Sequence, residues 1–462
     1  MDAYRSSLDY LTRLEVSAGW DLKLERMRAA VALRGHPERA WPAVHIAGTN
    51  GKGSTAAMVE AVLRAAGYRT GLYTSPHLVD FTERIRVDGW TIPRDVVAAL
   101  VDDLRTDLAR AGIALTHFEF VTLMAFEWFR RVGIDVGVIE VGLGGRLDAT
   151  NVIEPTVTAI THVALDHEEY LGRTIPEVAG EKAGILKPGV PVALGRLVPE
   201  AERVVLARAA AVGAPVLRAG HDGELVEAAG VLAFRGPGVS WSDLRLGMPG
   251  SFQRANAEVA LLAIAALRDR LPCDDEAIRR GLESAVWPGR LAIVRRAPLV
   301  LLDGAHNPAG AAALARELPP LLARRPTTLV FAVMRDKEWR GILDRLLPHV
   351  QRLVVTRVGP RGADPTEVAA AIGDCVSVAV SADAHAAVAD TVAAASSEEA
   401  VLITGSLYLV GEAYSTLAAP GEILFQPWHA PESGATEPAP CGPGVRSGTQ
   451  GRAPGSSGDH AR

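Results

Sequence analysis

The sequence predicts an α/β protein of two domains, each built on a mostly parallel sheet. Short apolar runs alternate along the chain with segments of helical periodicity, as is typical of parallel α/β sheets. The strand-loop-helix succession restarts near residue 290, and 462 residues exceed the usual size of one domain. We therefore predict a larger domain over residues 1–290 and a smaller one over 291–420.

The first strand and helix of the larger domain are predicted within residues 43–67. "AVHIAG" (43–48) is typical of a buried strand running into a glycine-rich loop. "STAAMVEAVLRAAG" (54–67) predicts a helix that ends at Gly67, where a C-terminal glycine is expected. Further strands with polar loops at their carboxyl ends are predicted within residues 69–76, 136–145, 156–167 and 190–195.

The second domain is predicted to be a Rossmann-like α/β unit. Strand-helix patterns recur within residues 298–322, 327–346, 351–358 and 399–417. We place the boundary near residues 288–291. From about residue 429 the chain is rich in Gly, Pro, Ser and Thr, so residues 429–462 are predicted to be a disordered tail.

Composition excludes several classes of partner. Hydrophobic residues at 48%, charged residues at 22% and a net charge of -6 indicate a globular protein with no affinity for nucleic acid or an anionic membrane. The sequence has no apolar run of membrane-spanning length and no secretory signal, which predicts a cytoplasmic protein. Cys273, Cys375 and Cys441 lie far apart, which disfavours a disulfide framework.

The stretch "VHIAGTNGKGST" (44–55) resembles a phosphate-binding loop but departs from G-x-x-x-x-G-K-[ST]. Ile46 takes the place of the first glycine, and Gly53 follows Lys52. Its glycines allow backbone N–H groups to face an anion, and Lys52 can reach the outer phosphates. The alternative is an ordinary turn between strand and helix.

A metal at such a loop needs oxygen ligands from elsewhere, because the hydroxyl after Lys52 is absent. Ser75 and Glu140, at the ends of two predicted strands, are candidates. A glutamate within an apolar run is costly to bury unless it is paired or binds a cation, so an ion pair of Glu140 with Arg146 is the alternative. His167 follows Asp166 at the end of a third predicted strand. It could be a metal ligand, and the alternative is a hydrogen-bonded structural residue.

Two further stretches carry charged residues. Lys182 directly follows Glu181, a pattern that favours a solvated ion pair. Arg290 lies at the domain junction, where it could reach a nucleotide in the cleft. Asp303 and His306 follow a strand of the second domain, and the alternative for this loop is a simple helix cap.

Together these stretches resemble the folylpolyglutamate synthase/dihydrofolate synthase family, a branch of the Mur-type ATP-dependent amide ligases. Eight motifs occur in the family's order up to about residue 420: "GTNGKGS", "SPHLVDFTERIRVDG", "GLGGRLDATN", "LDHEEYLGRTIPEVAGEKAGILK", "WPGR", "LDGAHNP", "MRDKE" and "TGSLYLVGE". The resemblance implies a Mur-ligase-like P-loop ATPase domain followed by a glutamate-binding domain.

The resemblance also implies the reaction. The γ-phosphate of ATP would pass to the carboxylate of dihydropteroate or a folate, and the amine of L-glutamate would attack the acyl phosphate and expel phosphate. Positioning and charge neutralisation do most of this work. The implied cofactors are ATP and two Mg²⁺ ions, the implied partners are small-molecule substrates, and the implied state is a monomer.

The resemblance assigns roles residue by residue. The implied ATP-binding residues are Thr49, Asn50, Gly51, Lys52, Gly53, Ser54, Asn256, Arg290 and Asp303. Ser75 and Glu140 would bind the first Mg²⁺ and His167 the second. Lys182 matches the lysine that the family carbamylates, and it joins Lys52, Glu140 and His167 as catalytic candidates. Phe118 is the candidate for contact with the pterin. Arg84 is the candidate partner of the glutamate carboxylates, and His306 is a candidate for the wall of the glutamate site.

One position departs from the family pattern G-x-H-Q-x-x-N-A, because Phe252 takes the place of the histidine in "PGSFQRANAEVA". Three alternatives remain at this point: a cell-wall Mur ligase, a P-loop ATPase or kinase that forms no amide, and a non-catalytic binding protein. The glycine after Lys52 and the motif "LDGAHNP" favour a folate ligase over the cell-wall enzymes.

Overall fold

The computed structural model describes residues 2–18, 23–228, 231–372, 376–418 and 424–425. The helices are α1 Ala3–Ala18, α2 Glu25–Leu33, α3 Lys52–Ala65, α4 Arg94–Arg110, α5 His117–Val132, α6 Glu168–Leu171, α7 Ile175–Ala183, α8 Pro199–Val212, α9 Phe252–Leu267, α10 Asp275–Ser284, α11 Pro308–Leu322, α12 Trp339–Leu346, α13 Pro365–Ile372, α14 Ala384–Ala394 and α15 Leu407–Leu417. The strands are β1 Ala43–Ala47, β2 Thr70–Tyr73, β3 Ile85–Val87, β4 Trp90–Thr91, β5 Val136–Glu140, β6 Val157–Ile160, β7 Val192–Leu194, β8 Val216–Arg218, β9 Glu224–Ala228, β10 Val231–Gly236, β11 Val239–Leu244, β12 Ala292–Arg296, β13 Leu299–Leu302, β14 Thr327–Phe331, β15 Arg352–Val355, β16 Ser377–Val380 and β17 Ala400–Thr404.

The larger domain is built on a sheet with strand order β4-β3-β2-β5-β1-β6-β7-β8. Strands β2, β5, β1, β6, β7 and β8 are parallel, and the β3-β4 hairpin adds an antiparallel edge. Val44 and Ile46 of β1 pack into one apolar core, while Ala43 and Ala47 pack into two others. The sheet is therefore covered on both faces, as parallel sheets require.

Helix α3 lies where the sequence predicts it, but it begins at Lys52 rather than at Ser54. Gly51 precedes it with a φ of +86°, a value that favours glycine. The amide of Gly67 donates to the carbonyl of Arg64 at 3.0 Å, so Gly67 closes the helix as predicted. The positive end of the helix dipole therefore lies at the glycine-rich loop itself.

A three-stranded antiparallel sheet, of order β11-β10-β9, was not predicted. It packs beside α9, and the stacked rings of Phe234 and Trp241 lie 5.5 Å apart in its apolar face. The signal in the sequence was the Pro237-Gly238 turn between two alternating runs, which is typical of a β-hairpin.

The smaller domain contains a sheet of order β12-β13-β17-β14-β15-β16. All of its strands are parallel except β12, which pairs antiparallel with β13. Apolar clusters fill both faces, with α11 and α12 on one side and α14 and α15 on the other. The predicted fold class, two mostly parallel α/β units, is confirmed.

Phe252, the residue that departs from the family pattern, lies where the two domains meet. It begins α9 of the larger domain and packs against the apolar core of the smaller one. The adjacent Ser251 hydroxyl donates to the carboxylate of Glu317 in α11. Phe252 therefore adds apolar contact between the domains.

The expectations about membrane-spanning segments, the cysteines and the C-terminal tail can be compared with the structure only in part. No helix within the described ranges has the length and apolarity needed to cross a membrane. Cys273 is a free thiol. Cys375, Cys441 and the predicted tail of residues 429–462 lie outside the described residues.

Candidate active site

The glycine-rich loop is tied to the loop that follows β6. The amide of Thr49 donates to the carbonyl of His162 at 2.7 Å, and its hydroxyl donates to the carbonyl of Ala164 at 3.0 Å. The hydroxyl of Thr161 donates to the carbonyl of Asn50 at 2.6 Å. These bonds hold the loop in shape at the carboxyl edge of the sheet.

Lys52 folds back over this loop. Its ammonium donates to the carbonyls of Gly48 at 3.0 Å and Thr49 at 3.3 Å. The cation therefore lies over the curled backbone, beside the start of α3. A phosphate-binding loop combines backbone N–H donors with a nearby cation, and Lys52 places a cation at this loop.

Gly53 is needed because an aromatic ring lies against it. A Cβ atom at this position would lie 2.6 Å from the indole of Trp287, closer than real side-chain contacts allow. A serine or threonine after Lys52 would therefore displace the segment that leads into the second domain. The glycine that stands here in place of the motif's usual serine or threonine is therefore required by packing.

Helix α9 supports the start of α3 from the other side. The amide of Gln253 donates to the hydroxyl of Ser54 at 3.3 Å, and Asn256 donates to Gln253 at 2.8 Å. The hydroxyl of Thr55 donates to the carbonyl of Asn256 at 3.4 Å. The structure thus places Asn256, which the resemblance assigns to ATP binding, beside the glycine-rich loop.

Glu140 is a buried carboxylate at the end of β5. The amide of Ser75 donates to its Oε2 at 3.2 Å. Burial raises the pKa of Glu140, and the charges of Lys52 and Arg290 act in the opposite direction. The alternative ion pair with Arg146 is wrong, because Arg146 instead binds Glu181 with an Nη2–Oε1 distance of 2.8 Å.

Lys182 is buried on α7, with 2% of its surface exposed. The solvated pair with Glu181 that its sequence neighbours favoured is wrong, because Glu181 turns to Arg146. The part of the chain that the structure describes gives the Lys182 ammonium neither a hydrogen bond nor an ion pair. Burial, with a smaller contribution from Lys52, lowers its pKa to about 7.

A small cavity of about 40 Å³ connects Ser75 and Glu140 to the domain junction. Its wall includes Ser75, Glu140, Arg290 and Trp287, and Phe425 contributes from the C-terminal segment. The ring of Phe425 also lies 4.2 Å from the guanidinium of the buried Arg86. The candidate metal ligands therefore face the same space as the junction arginine.

Asp303 satisfies backbone groups at the junction. It accepts hydrogen bonds from the amides of Leu291 and Ala305, both at 2.8 Å. Burial raises its pKa, and the nearby charge of Arg290 opposes that shift. Asp303 thus satisfies backbone amides, as in the alternative interpretation of this loop, but Asn307 rather than Asp303 caps α11, and Arg290 lies beside Asp303.

The smaller domain reaches the phosphate loop through a pair of amides. Asn50 and Asn307 exchange hydrogen bonds of 3.1 and 3.0 Å across the domain boundary. Asn307 also caps α11 by accepting from the amide of Gly310 at 2.8 Å. One side chain therefore both starts a helix of the second domain and holds the loop of the first.

Asp166 forms a second connection between the domains. Its carboxylate accepts from Lys337 at 2.5 Å and from Asn307 at 3.1 Å, and His306 Nε2 lies 3.7 Å away. Burial alone would raise the pKa of Asp166, but the charges of His306 and Lys337 hold it well below its usual range. Sequence reasoning missed Lys337 as a site residue, although "MRDKE" was among the quoted motifs.

His167 adopts a left-handed backbone conformation with a φ of +51°. Its Nε2 lies 2.9 Å from the ammonium of Lys337. Burial and then the charge of Lys337 lower its pKa. The structure therefore brings His167 to the interdomain edge of the site, in contact with a cation of the second domain.

The three candidate substrate residues divide between the two domains. The ring of Phe118 lies 6.1 Å from that of Tyr73 and packs against Gly142, just beyond Glu140. Arg84 donates to His77 Nδ1 at 2.9 Å in the larger domain. His306 belongs to the smaller domain, where its Nδ1 donates to the carbonyl of Gly304 at 2.7 Å and burial lowers its pKa to about 4. Among the described residues, no contact joins Arg84 to His306.

Two domain families match this chain, one in each of its domains. The Mur ligase middle domain matches residues 46–265, and the Mur ligase glutamate ligase domain matches residues 289–407. The dihydrofolate synthase/folylpolyglutamate synthase of Mycobacterium tuberculosis is 39% identical over 435 residues, which cover 85% of this chain and 89% of that protein. The chain belongs to the folylpolyglutamate synthase/dihydrofolate synthase family.

Solved structures of this family match the whole fold. E. coli FolC in complex with DHPP and ADP is 34% identical, with a TM-score of 0.83 over 90% of this chain and 98% of that one. The bifunctional enzyme of Yersinia pestis, complexed with AMPPNP and a Mn ion, is 33% identical, with a TM-score of 0.80 and coverage of 90% and 98%. The family predicted from the motifs is thereby confirmed.

Proposed function

We propose that this chain is an ATP-dependent ligase that joins L-glutamate to the carboxylate of dihydropteroate, of a reduced folate, or of both. One observation carries the proposal beyond family membership. The glycine-rich loop with Lys52 and the buried Glu140 lie at the carboxyl edge of the sheet, and Asn307 of the glutamate ligase domain hydrogen-bonds to that loop at Asn50. The buried Lys182 is close enough for the charge of Lys52 to lower its pKa.

ATP would bind along the loop and under the junction. The backbone from Thr49 to Ser54 and the ammonium of Lys52 would hold the phosphates, because the loop N–H groups and the start of α3 favour anions. Asn256, Arg290 and Asp303 would hold the nucleotide from the side of α9 and the second domain. The contact of Arg290 with the cavity beside Glu140 supports this orientation.

The donor set at Glu140 fits a divalent cation. Its carboxylate is buried and accepts from the Ser75 amide, while the neighbouring Ser75 hydroxyl offers a second oxygen in the same cavity. We infer that Ser75 and Glu140 would hold the first Mg²⁺ and that His167 would contribute to the second. Bound there, Mg²⁺ supplies charge neutralisation for phosphoryl transfer.

The reaction divides into two displacements. An oxygen of the acceptor carboxylate attacks the γ-phosphorus and ADP leaves, which gives an acyl phosphate. The amine of glutamate then attacks the carbonyl carbon, and phosphate leaves with the oxygen that formed the P–O bond. Lys52 would hold the transferring phosphoryl group, and the enclosed cleft would exclude water from the acyl phosphate.

Lys182 would act as a carbamate rather than as an ammonium. A buried amine with a pKa of about 7 is largely neutral at physiological pH, and only the neutral amine reacts with CO₂. Carbamylation would place an anion beside the charge of Lys52, in a site that would also hold a divalent cation. Among the described residues, no carboxylate forms a close ion pair with Lys182, although Asp166, Asp148 and Glu181 act on it from farther away. The lack of a close partner supports this role.

The acceptor would lie along the larger domain and glutamate toward the smaller one. Phe118 offers a ring face beside Gly142 for the flat pterin. Arg84 offers a guanidinium for the carboxylates of glutamate, while His306, whose Nδ1–H already donates to Gly304, would line the glutamate site as a neutral imidazole. Their separation into two domains supports a site that is complete only when both domains contact the substrates.

The decisive assay measures ADP release with Mg²⁺, ATP and L-glutamate present. We expect release only when dihydropteroate or a tetrahydrofolate is added, and mass spectrometry should show an acceptor extended by one glutamyl unit. Equal ADP release without an acceptor would contradict the ligase. Parallel assays with dihydropteroate and tetrahydrofolate separate the two activities.

We further propose that the enzyme acts as a monomer in the cytoplasm. The resemblance to the family supports the monomer, and the sparse, widely spaced cysteines support a reducing compartment. Analytical ultracentrifugation at micromolar concentration tests the monomer, and a concentration-dependent increase in mass would contradict it.

A further inference from the structure

Lys337 of the smaller domain lies between the carboxylate of Asp166 and the imidazole of His167, both in the larger domain. Its ammonium is 2.5 Å from Asp166 Oδ1 and 2.9 Å from His167 Nε2. The side chains of Lys337 and Asp166 are only 7% and 9% exposed, so this ion pair is largely removed from water. A cation of the glutamate ligase domain is thus buried against the loop between β6 and α6, which carries His167.

The chemistry of the ammonium fixes the protonation of the imidazole. A lysine ammonium has three donors and no lone pair, so His167 Nε2 must accept the hydrogen bond. The ring proton of the neutral histidine is therefore on Nδ1. The carboxylate of Asp336, whose Oδ2 lies 3.9 Å from Nδ1, is placed to favour that tautomer.

A divalent cation would need the same lone pair. Neutral imidazole binds a metal through its unprotonated nitrogen, which is here the Nε2 that Lys337 already occupies. We propose that Lys337 competes with the second divalent cation for His167 Nε2, so that the cation binds there only after Lys337 moves off the imidazole. This inference rests on the proposed function, in which His167 contributes to the second metal.

The competition couples metal binding to the contact between domains. The carboxylate of Asp166 accepts hydrogen bonds from both Lys337 and Asn307 of the smaller domain. Asn307 also donates to Asn50 in the glycine-rich loop. A cation at His167 would repel the ammonium and weaken this set of contacts. By reciprocity, strengthening the domain contact would weaken metal binding at His167.

The test is a Mn²⁺ titration of the full-length chain saturated with ADP, with free Mn²⁺ measured by electron paramagnetic resonance. Lys337→Met removes the competing ammonium and keeps the length of the side chain. We expect its second Mn²⁺ equivalent to bind about tenfold more tightly than in the unmodified protein, a change of about 1.4 kcal/mol. Arg335→Met removes an exposed cation two residues away and should leave both equivalents unchanged.

A double variant separates competition at His167 from a general change in charge. In a His167→Ala background, Lys337→Met should no longer tighten Mn²⁺ binding, because the contested lone pair is gone. Equal tightening in both backgrounds, or no tightening in either, would overturn the proposal. A nitrogen-15 spectrum that shows the His167 proton on Nε2 in the metal-free protein would overturn it as well. An unmodified protein that binds no Mn²⁺ with ADP present would instead count against the metal sites of the proposed function.

Discussion

The two sides of the candidate site are built in different ways. In the larger domain, Thr49, Lys52 and Glu140 are held by backbone groups of their own domain at the edge of one sheet. In the smaller domain, Asn307 and Lys337 reach the site through hydrogen bonds that cross the boundary. The contrast shows that the central sheet orders one side of the candidate site, whereas side-chain contacts between the domains hold the other side in place.

The largest effect is expected from Glu140→Gln on the side of the larger domain. Glutamine keeps the shape and the hydrogen bond from the Ser75 amide but removes the charge that would hold Mg²⁺. Because a bound metal contributes several kcal/mol to phosphoryl transfer, kcat should fall by about a thousandfold or more. Steady-state ADP release measures the loss, and circular dichroism should show an intact fold. Unchanged turnover would remove Glu140 from the metal site.

On the interdomain side, Asp166→Asn should weaken stability strongly. The amide leaves Lys337 buried without its counter-ion, and breaking a buried pair in this way costs about 3–5 kcal/mol. Urea unfolding measures the change. Asp336→Asn is the matched control, because Asp336 is 54% exposed and lies 3.9 Å from the same ammonium, so its loss should cost about 1 kcal/mol or less. Equal effects of the two variants would contradict the buried contact.

The same contrast explains what the sequence could predict. Strand ends and the glycine-rich loop follow from local patterns, so Lys52, Ser75, Glu140 and His167 could be assigned to one edge of the sheet. The pairing of Asn50 with Asn307 spans 257 positions, and that of Asp166 with Lys337 spans 171. No local pattern encodes such contacts, and the burial of Lys182 depends on the packing of α7 rather than on its neighbour Glu181.

Gly53→Ala tests the packing that makes the phosphate loop irregular. The added methyl group would press on the indole of Trp287, and overpacking of this kind costs about 1–3 kcal/mol. We expect lower stability in urea and a changed Trp287 fluorescence. Gly180→Ala is the control, since no atom lies within 4 Å of a Cβ built there, and it should be neutral or stabilising. A Gly53→Ala protein as stable as the control would contradict the account of this glycine.

A smaller effect is expected from pH at Lys182. With a pKa of about 7, the neutral fraction of this amine should rise about fivefold between pH 6 and pH 7. Carbon-13 bicarbonate should therefore label the protein increasingly over this range, with a carbamate signal in the carbon spectrum. Lys182→Met should abolish the signal, and Lys187→Met should retain it. A signal that survives Lys182→Met would assign the modification elsewhere.

The central claim is that the enzyme forms an acyl phosphate on the acceptor and then consumes it. The most direct measurement uses dihydropteroate labelled with oxygen-18 in its carboxylate, or labelled tetrahydrofolate if only that acceptor is used. The account predicts that each released phosphate carries one labelled oxygen from the acceptor, because that oxygen forms the P–O bond and leaves with phosphate. Unlabelled phosphate accompanying amide formation would contradict it.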